Sequence, residues 1–310
     1  MSAVICGSMA YDTIMVFHDR FKHHILPEQV HILNVSFLVP ELRREFGGCA
    51  GNIAYNLKLL GEEPLILATV GKDFGPYAQW LSTLGISSKG IKVLDDAYTA
   101  QAYITTDLDD NQITAFHPGA MSFSYQTEVP ADAGIAIGLL SPDGKEGMLA
   151  HAEQFEAKGI PFIFDPGQAM PQFDGEELKA LINKATWLTL NDYEAQLMSE
   201  RTGLGLEALA GRVEALVVTR GGEGSQIYTE GRIIDIPPVK VDPKDPTGCG
   251  DAYRAGLVHG IVQGYDWEAT GRIASLIGAI KIEQAGTQNH GFTLAEFKDR
   301  YKRSFGHAIG

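Results

Sequence analysis

The chain has 310 residues, 45% hydrophobic and 21% charged, an ordinary balance for an α/β protein and ample for a large core. Its formal net charge of -14 argues against a protein that finds nucleic acid or an anionic membrane by long-range attraction, although local backbone dipoles still permit an anionic ligand. Three scattered cysteines, Cys6, Cys49 and Cys249, exclude a disulfide framework or a C-x-x-C zinc or redox site, so a reducing cytoplasm is the expected setting.

The first residues, MSAVICGSMAYD, lack a basic leader and read as a buried strand rather than a signal peptide. No apolar run is long enough to cross a bilayer. Residues 11–46 show no clear helix and contain the apolar run VSFLV. GGCAGN at 47–52 then precedes a helical period in NIAYNLKLLG. PLILATV at 64–70 reads as a buried strand, followed by a helix through PYAQWLSTLG. Residues 98–118 hold two β-rich runs around the turn signal DLDDN, hence a hairpin.

From there strands and helices alternate: GIAIGLLS at 134–141, a helix through MLAHAEQFEAKG, PFIFDPG at 161–167, WLTLND at 187–192 and EALVVTRGG at 214–222. Continuous apolar strands separated by helices predict a mostly parallel sheet covered on both faces. Ligands gather at the carboxyl edge of such a sheet, where Asp165, Asn191 with Asp192, and Arg220 with Gly221 fall. The expected division is a large domain over 1–10, 47–97 and 119–310 and a small β-lid over 11–46 and 98–118. The lid strands also suit a dimer interface.

Four short stretches can carry chemistry. In DPTGCGDAYRAG, Asp245 to Gly256, a Gly-x-Gly turn opens a helix, so backbone N–H groups and the helix dipole converge on one point. Gly248, Cys249 and Gly250 form that anion hole, and Asp251 is either the general base for an alcohol beside it or a helix cap. In GGCAGN, Gly48 lets backbone approach a ligand and Asn52 suits a sugar diol, or the stretch is a tight turn with a cap. Asn191 and Glu194 either orient hydrated Mg²⁺ beside a polyphosphate or form a capping box. TRGGEG, Thr219 to Gly224, either lines a nucleotide or turns a hairpin. There is no G-x-x-x-x-G-K-[ST], no G-x-G-x-x-G after the first strand and no G-x-S-x-G, which excludes a P-loop enzyme and a serine hydrolase of that type.

Taken in order, G-G-x-x-x-N, N-x-x-E, T-x-G-x-x-G and D-x-T-G-x-G-D make the chain resemble the ribokinase, or PfkB, family of carbohydrate and nucleoside kinases over essentially its whole length. GSMAYD at 7–12, LPEQVHILNVSFLV at 26–39, FHPGAM at 116–121 and DPGQ at 165–168 carry the likeness toward ribokinase-like bacterial adenosine kinases.

The resemblance implies a three-layer αβα domain with a mostly parallel central sheet plus a small β-sheet lid. It also implies ATP- and Mg²⁺-dependent phosphorylation of adenosine at the 5′-hydroxyl. Within it, Asp12 matches the acid that binds the ribose 2′- and 3′-hydroxyls, with Gly48 and Asn52 closing on the same diol. Phe116 matches an aromatic that stacks on the base, and Ser8, Ser36 and Gln168 match polar purine-site positions. Asp251 is the base beside the Gly248, Cys249 and Gly250 anion hole. Asn191, Thr219, Gly221, Gly222 and Gly224, with Gly248 and Gly250, match the ATP site. Asn191 and Glu194 hold Mg²⁺ through water, while Asp245 and Thr247 match a monovalent-cation loop for K⁺ that not every member uses.

Two positions depart from the pattern. Cys249 replaces a small alanine or valine, either as a tolerated side chain or as an oxidation-sensitive thiol whose pKa the helix N-terminus lowers. Ala102 stands where a second aromatic of the base pocket is expected. Other purine nucleosides, ribose or a related furanose therefore remain alternative substrates, and a non-catalytic nucleoside sensor is the alternative of another class.

Overall fold

The computed structural model describes residues 2–25, 34–109, 111–131 and 134–309. In its first half, β1 (Ser2–Cys6), β2 (Ala10–Val16) and β3 (Glu41–Gly47) precede α1 (Cys49–Leu59), β4 (Pro64–Gly71), α2 (Gly75–Leu84), β5 (Ile91–Leu94), β6 (Ala100–Thr106) and β7 (Gln112–His117). Next come β8 (Ile135–Leu140), α3 (Lys145–Lys158), β9 (Phe162–Phe164), α4 (Gly175–Lys184), β10 (Trp187–Asn191), α5 (Asp192–Thr202) and α6 (Leu206–Ala210). Three strands, β11 (Ala215–Thr219), β12 (Ser225–Thr229) and β13 (Arg232–Ile236), lead to α7 (Cys249–Gln263), α8 (Trp267–Ile282) and α9 (Leu294–Phe305).

Successive strand side chains point to opposite faces, so a continuously apolar strand must feed two layers. In β1, Ala3 and Ile5 enter one core with α1, α2, α7 and α8, whereas Val4 and Cys6 enter another with α3, α4, α5 and α6. β11 repeats this, with Ala215 and Val217 in the first core and Leu216 and Val218 in the second. The order of this large sheet is β13-β12-β11-β10-β9-β8-β1-β4-β5. Its pairs are parallel from β5 to β11 and antiparallel from β11 to β13. This is the mostly parallel, two-sided sheet expected, and a second, four-stranded sheet ordered β3-β2-β6-β7 stands beside it.

The hairpin expected over 98–118 is β6–β7. The apolar run VSFLV, in contrast, is not a strand; the fourth strand is ELRREFG, and residues 34–40 have no regular structure. A charged strand suits a sheet edge, where it discourages pairing with another chain. Phe37 of the apolar run instead packs on Phe17 and Phe21, with ring centroids 4.9 and 5.0 Å away. The first part of LPEQVHILNVSFLV lies outside the described residues. Among the described residues, no helix is long and apolar enough to cross a membrane.

Candidate active site

Parallel strands end at one edge, which brings loops distant in sequence together. Ser8 follows β1, Pro142 and Asp143 follow β8, Asp165 follows β9 and Asn191 ends β10; all line one cavity of about 540 Å³. The small sheet closes the opposite side. Cross-strand register aligns Glu45, Asp12, Ala102 and Phe116 across β3, β2, β6 and β7, so these four side chains share one face. Asp12, Ala102 and Phe116 line the cavity, and the small Ala102 separates the carboxylate from the ring. Burial first, then the Glu45 and Asp245 carboxylates, push the Asp12 carboxyl up to about 6. Phe116 remains 51% exposed.

Gly48 starts α1 at φ 85°, and a Cβ there would sit 2.6 Å from the backbone of Ser8 to Ala10. A glycine therefore lets α1 press onto the β1–β2 connection. The Ser8 hydroxyl accepts from the Cys49 N–H at 3.1 Å, so this cavity-lining serine also caps α1. Asn52, one turn on, has both ends of its amide engaged. Its Nδ2 donates to Asp251 Oδ2 at 2.8 Å and its Oδ1 accepts from Gln288 Nε2 at 3.0 Å. Gln288 is fixed in turn by Trp80 Nε1 at 2.8 Å and by Tyr77 Oη at 2.7 Å. The diol residue expected at Asn52 is thus also the orienting partner of Asp251.

Gly248 starts α7 in the left-handed region, φ 77°, which turns the chain into the helix so that Asp251 falls in its first turn. The Cys249 N–H donates to Pro246 O at 3.1 Å. Gly248 and Gly250 line the first cavity beside Asp251. Burial pushes Asp251 up to about 6; Asp165 adds to the rise, while the Asn52 hydrogen bond and the Arg254 charge oppose it.

Arg254, on the same face of α7 one turn after Asp251, was missed by the sequence reading. It is 5% exposed, its Nε and Nη2 each donate to Asp165 at 3.0 Å, and Nη2 stands 3.7 Å from Glu194. The i, i+3 spacing from Asp251 was its available signal, since an arginine on a buried helix face demands acid partners. Asp143 was missed too. It is 2% exposed, burial pushes it up to about 8, and its Oδ2 has no partner among the described residues.

A second cavity of about 830 Å³ is lined by Thr219, Gly221, Gly222 and Gly224 from the β11–β12 turn, with Cys249 and Pro238. TRGGEG is therefore both a hairpin turn and a cavity wall. Asn191, Gly250 and Arg254 line both cavities, so the two meet at the start of α7. Asn191 and Glu194 form a reciprocal capping box, Glu194 N to Asn191 Oδ1 at 2.7 Å and Asn191 N to Glu194 Oε2 at 2.8 Å. Capping and cavity lining coincide in this pair.

Three expectations change. Ser36 is exposed in the 34–40 segment and does not line either cavity, whereas Gln168 lines the first. Burial pushes the Cys249 thiol up to about 11; Lys281 opposes the rise and the Asp245 and Asp251 carboxylates add to it. The oxidation-sensitive reading loses its physical basis. The Asp245 carboxylate accepts from Thr247 N at 2.9 Å and from Gly286 N at 2.8 Å, and its carbonyl accepts from the Lys281 ammonium at 2.7 Å. K⁺ does not fit a loop whose carbonyl already holds a cation.

Residues 8–293 match the pfkB family carbohydrate kinase profile. The chain belongs to that family. A Burkholderia thailandensis nucleoside kinase solved in complex with inosine is similar over 99% of both chains, with a TM-score of 0.90 and 48% identity. The same enzyme in complex with ADP-inosine gives a TM-score of 0.88 at 50% identity, covering 99% of this chain and 97% of that one. A nucleoside kinase of Methanocaldococcus jannaschii is 35% identical over 260 residues, 83% of this chain and 85% of the relative. The pfkB-family chain described here is accordingly a phosphotransferase acting on a hydroxyl group.

Proposed function

We propose that this chain transfers the γ-phosphoryl group of ATP to the 5′-hydroxyl of a purine nucleoside, with adenosine and inosine the leading acceptors. The carrying observation is that Asp251 lines the first cavity at the point where the second joins it through Asn191, Gly250 and Arg254. The nucleoside occupies the first cavity. Its ribose diol meets Asp12, with Gly48 and Asn52 beside it, its base meets Phe116, and Gln168 and Ser8 stand nearby. The nucleotide occupies the second cavity along Thr219, Gly221, Gly222 and Gly224. Similarity to a kinase solved with inosine and with ADP-inosine supports a nucleoside over a free sugar.

The 5′-hydroxyl lies against Asp251, which takes its proton as the oxygen attacks phosphorus. A carboxyl with pKa about 6 is ionised at neutral pH yet basic enough to accept that proton. The N–H groups at Gly248 and Gly250 and the N-terminus of α7 receive the charge of the transferred group. Glu194 and Asn191 both face the first cavity, and their oxygen donors suit Mg²⁺ held through water. When bound, that ion neutralises charge on the polyphosphate. A homodimer through the small sheet belongs to the same reading, supported by exposed Leu42, Tyr103 and Ile113 on its face away from Asp12.

The test is ADP release from ATP with adenosine, inosine, guanosine, ribose and fructose offered in turn. Turnover with nucleosides is expected. Turnover confined to a free sugar overturns the reading in favour of a sugar kinase, and tight nucleoside binding without turnover favours the sensor.

A further inference from the structure

The loop from Lys244 to Gly248 carries the start of α7, and its position is set from α8. Lys244 N and Asp245 N both donate to Ile282 O, at 2.8 and 3.1 Å, where the last turn of α8 leaves carbonyls unpaired. One residue earlier, Lys281 is 0% exposed. Its ammonium donates to Asp245 O at 2.7 Å and to Gln284 O at 3.2 Å. A fully buried lysine whose bonded neighbours are backbone carbonyls is unusual, because burial penalises the charge unless its surroundings compensate. Here burial draws the Lys281 pKa down, while Cys249, Asp245 and Asp251 oppose that effect. All three belong to the loop or to the first turn of α7.

An alkali ion and an ammonium make the same demand on a site: a cluster of carbonyl oxygens with a net negative field. Asp245 O and Gln284 O meet that demand, and Lys281 answers it from within the chain. We propose that Lys281 is a built-in monovalent cation, tying the end of α8 to the anion-hole loop, so that phosphoryl transfer by this chain requires no added K⁺. Lys281 is a positioning residue: it acts through Asp245 and the N-terminus of α7 rather than on substrate. The inference rests on the kinase reading above, and its test separates the two.

Full-length wild type and Lys281→Met are compared in KCl, NaCl and tetramethylammonium chloride at equal ionic strength. Each is read twice, by nucleoside-dependent kcat and by the thermal unfolding midpoint, which needs no turnover. Wild type is expected to give the same kcat and midpoint in all three salts. The Met variant is expected to lose about a hundredfold in kcat in tetramethylammonium, as misplacement of a reacting group costs. KCl should restore much of that loss and raise the variant's midpoint, because an ion that binds only the folded state stabilises it.

Several-fold activation or stabilisation of wild type by K⁺ overturns the proposal. So does a folded variant that keeps wild-type kcat in tetramethylammonium, or one whose lost activity and midpoint ignore K⁺, which reduces Lys281 to packing. If the variant does not fold, the wild-type comparison decides. Absence of nucleoside turnover by wild type in every salt counts against the kinase reading alone, and the midpoints still report on the cation.

Discussion

Asn52 and Asp251 are 199 residues apart in sequence, and their side chains meet at 2.8 Å, joining the first turn of α1 to the first turn of α7. The amide donates to the carboxylate and thereby favours its ionised form, against the burial that favours the neutral acid. Asn52→Leu removes that donor. The pKa of Asp251 then rises above about 6, and the acid limb of the kcat–pH profile moves to higher pH. A limb that stays in place would show that the hydrogen bond does not act on the carboxylate proposed as the base.

Asp12 and Asp251 both sit near 6, and the proposed reaction needs both ionised, one to accept the diol and one to accept a proton. Activity therefore rises with pH through 6 and is lost below it. Because kcat/KM reports the free enzyme, its logarithm should fall with a slope steeper than one below that pH. Asp12→Asn should reduce the slope to one and raise KM more than it lowers kcat.

Arg254 holds Asp165 with two hydrogen bonds, and both side chains are buried. Arg254→Met strands the carboxylate and should cost about 3–5 kcal/mol in urea unfolding. Adding Asp165→Leu removes the stranded charge and should recover part of the stability but none of the activity. Equal stability of the single and double variants would deny the pair its buried-charge character.

Phe116 presents its ring on the small sheet in register with Asp12. Stacking of a base on an aromatic is worth about 1–3 kcal/mol, so Phe116→Ala should raise KM for adenosine about tenfold. kcat should hold. An unchanged KM would place the base elsewhere.

What could be read from the sequence was what lies local in the chain. Glycine turns at helix starts, an aspartate just after one, and the strand–helix rhythm each leave a signature within a dozen residues, and they led to Gly48, Gly248, Asp251 and the layered sheet. The spacing from Asp251 marks Arg254 on a buried helix face but does not name its partner: Asp165 lies 89 residues away, and Gln288 lies 236 residues from Asn52, so neither pairing leaves a local signature. The same holds for Lys281, which reads as an ordinary lysine on α8 until the Asp245 carbonyl is placed against it. In the small sheet, ELRREFG forms a strand although it carries no apolar pattern. An exposed edge strand is specified by pairing with β2 and by its charge, neither of which an apolar pattern records.

Asp251 is proposed as the general base for a nucleoside hydroxyl. Its most direct test is single-turnover phosphoryl transfer from ATP to adenosine by Asp251→Asn, with adenosine and ADP affinities measured on the same protein by calorimetry. The rate is expected to fall by about a hundredfold or more, with both affinities changed far less. A variant that transfers phosphate at the wild-type rate would contradict it.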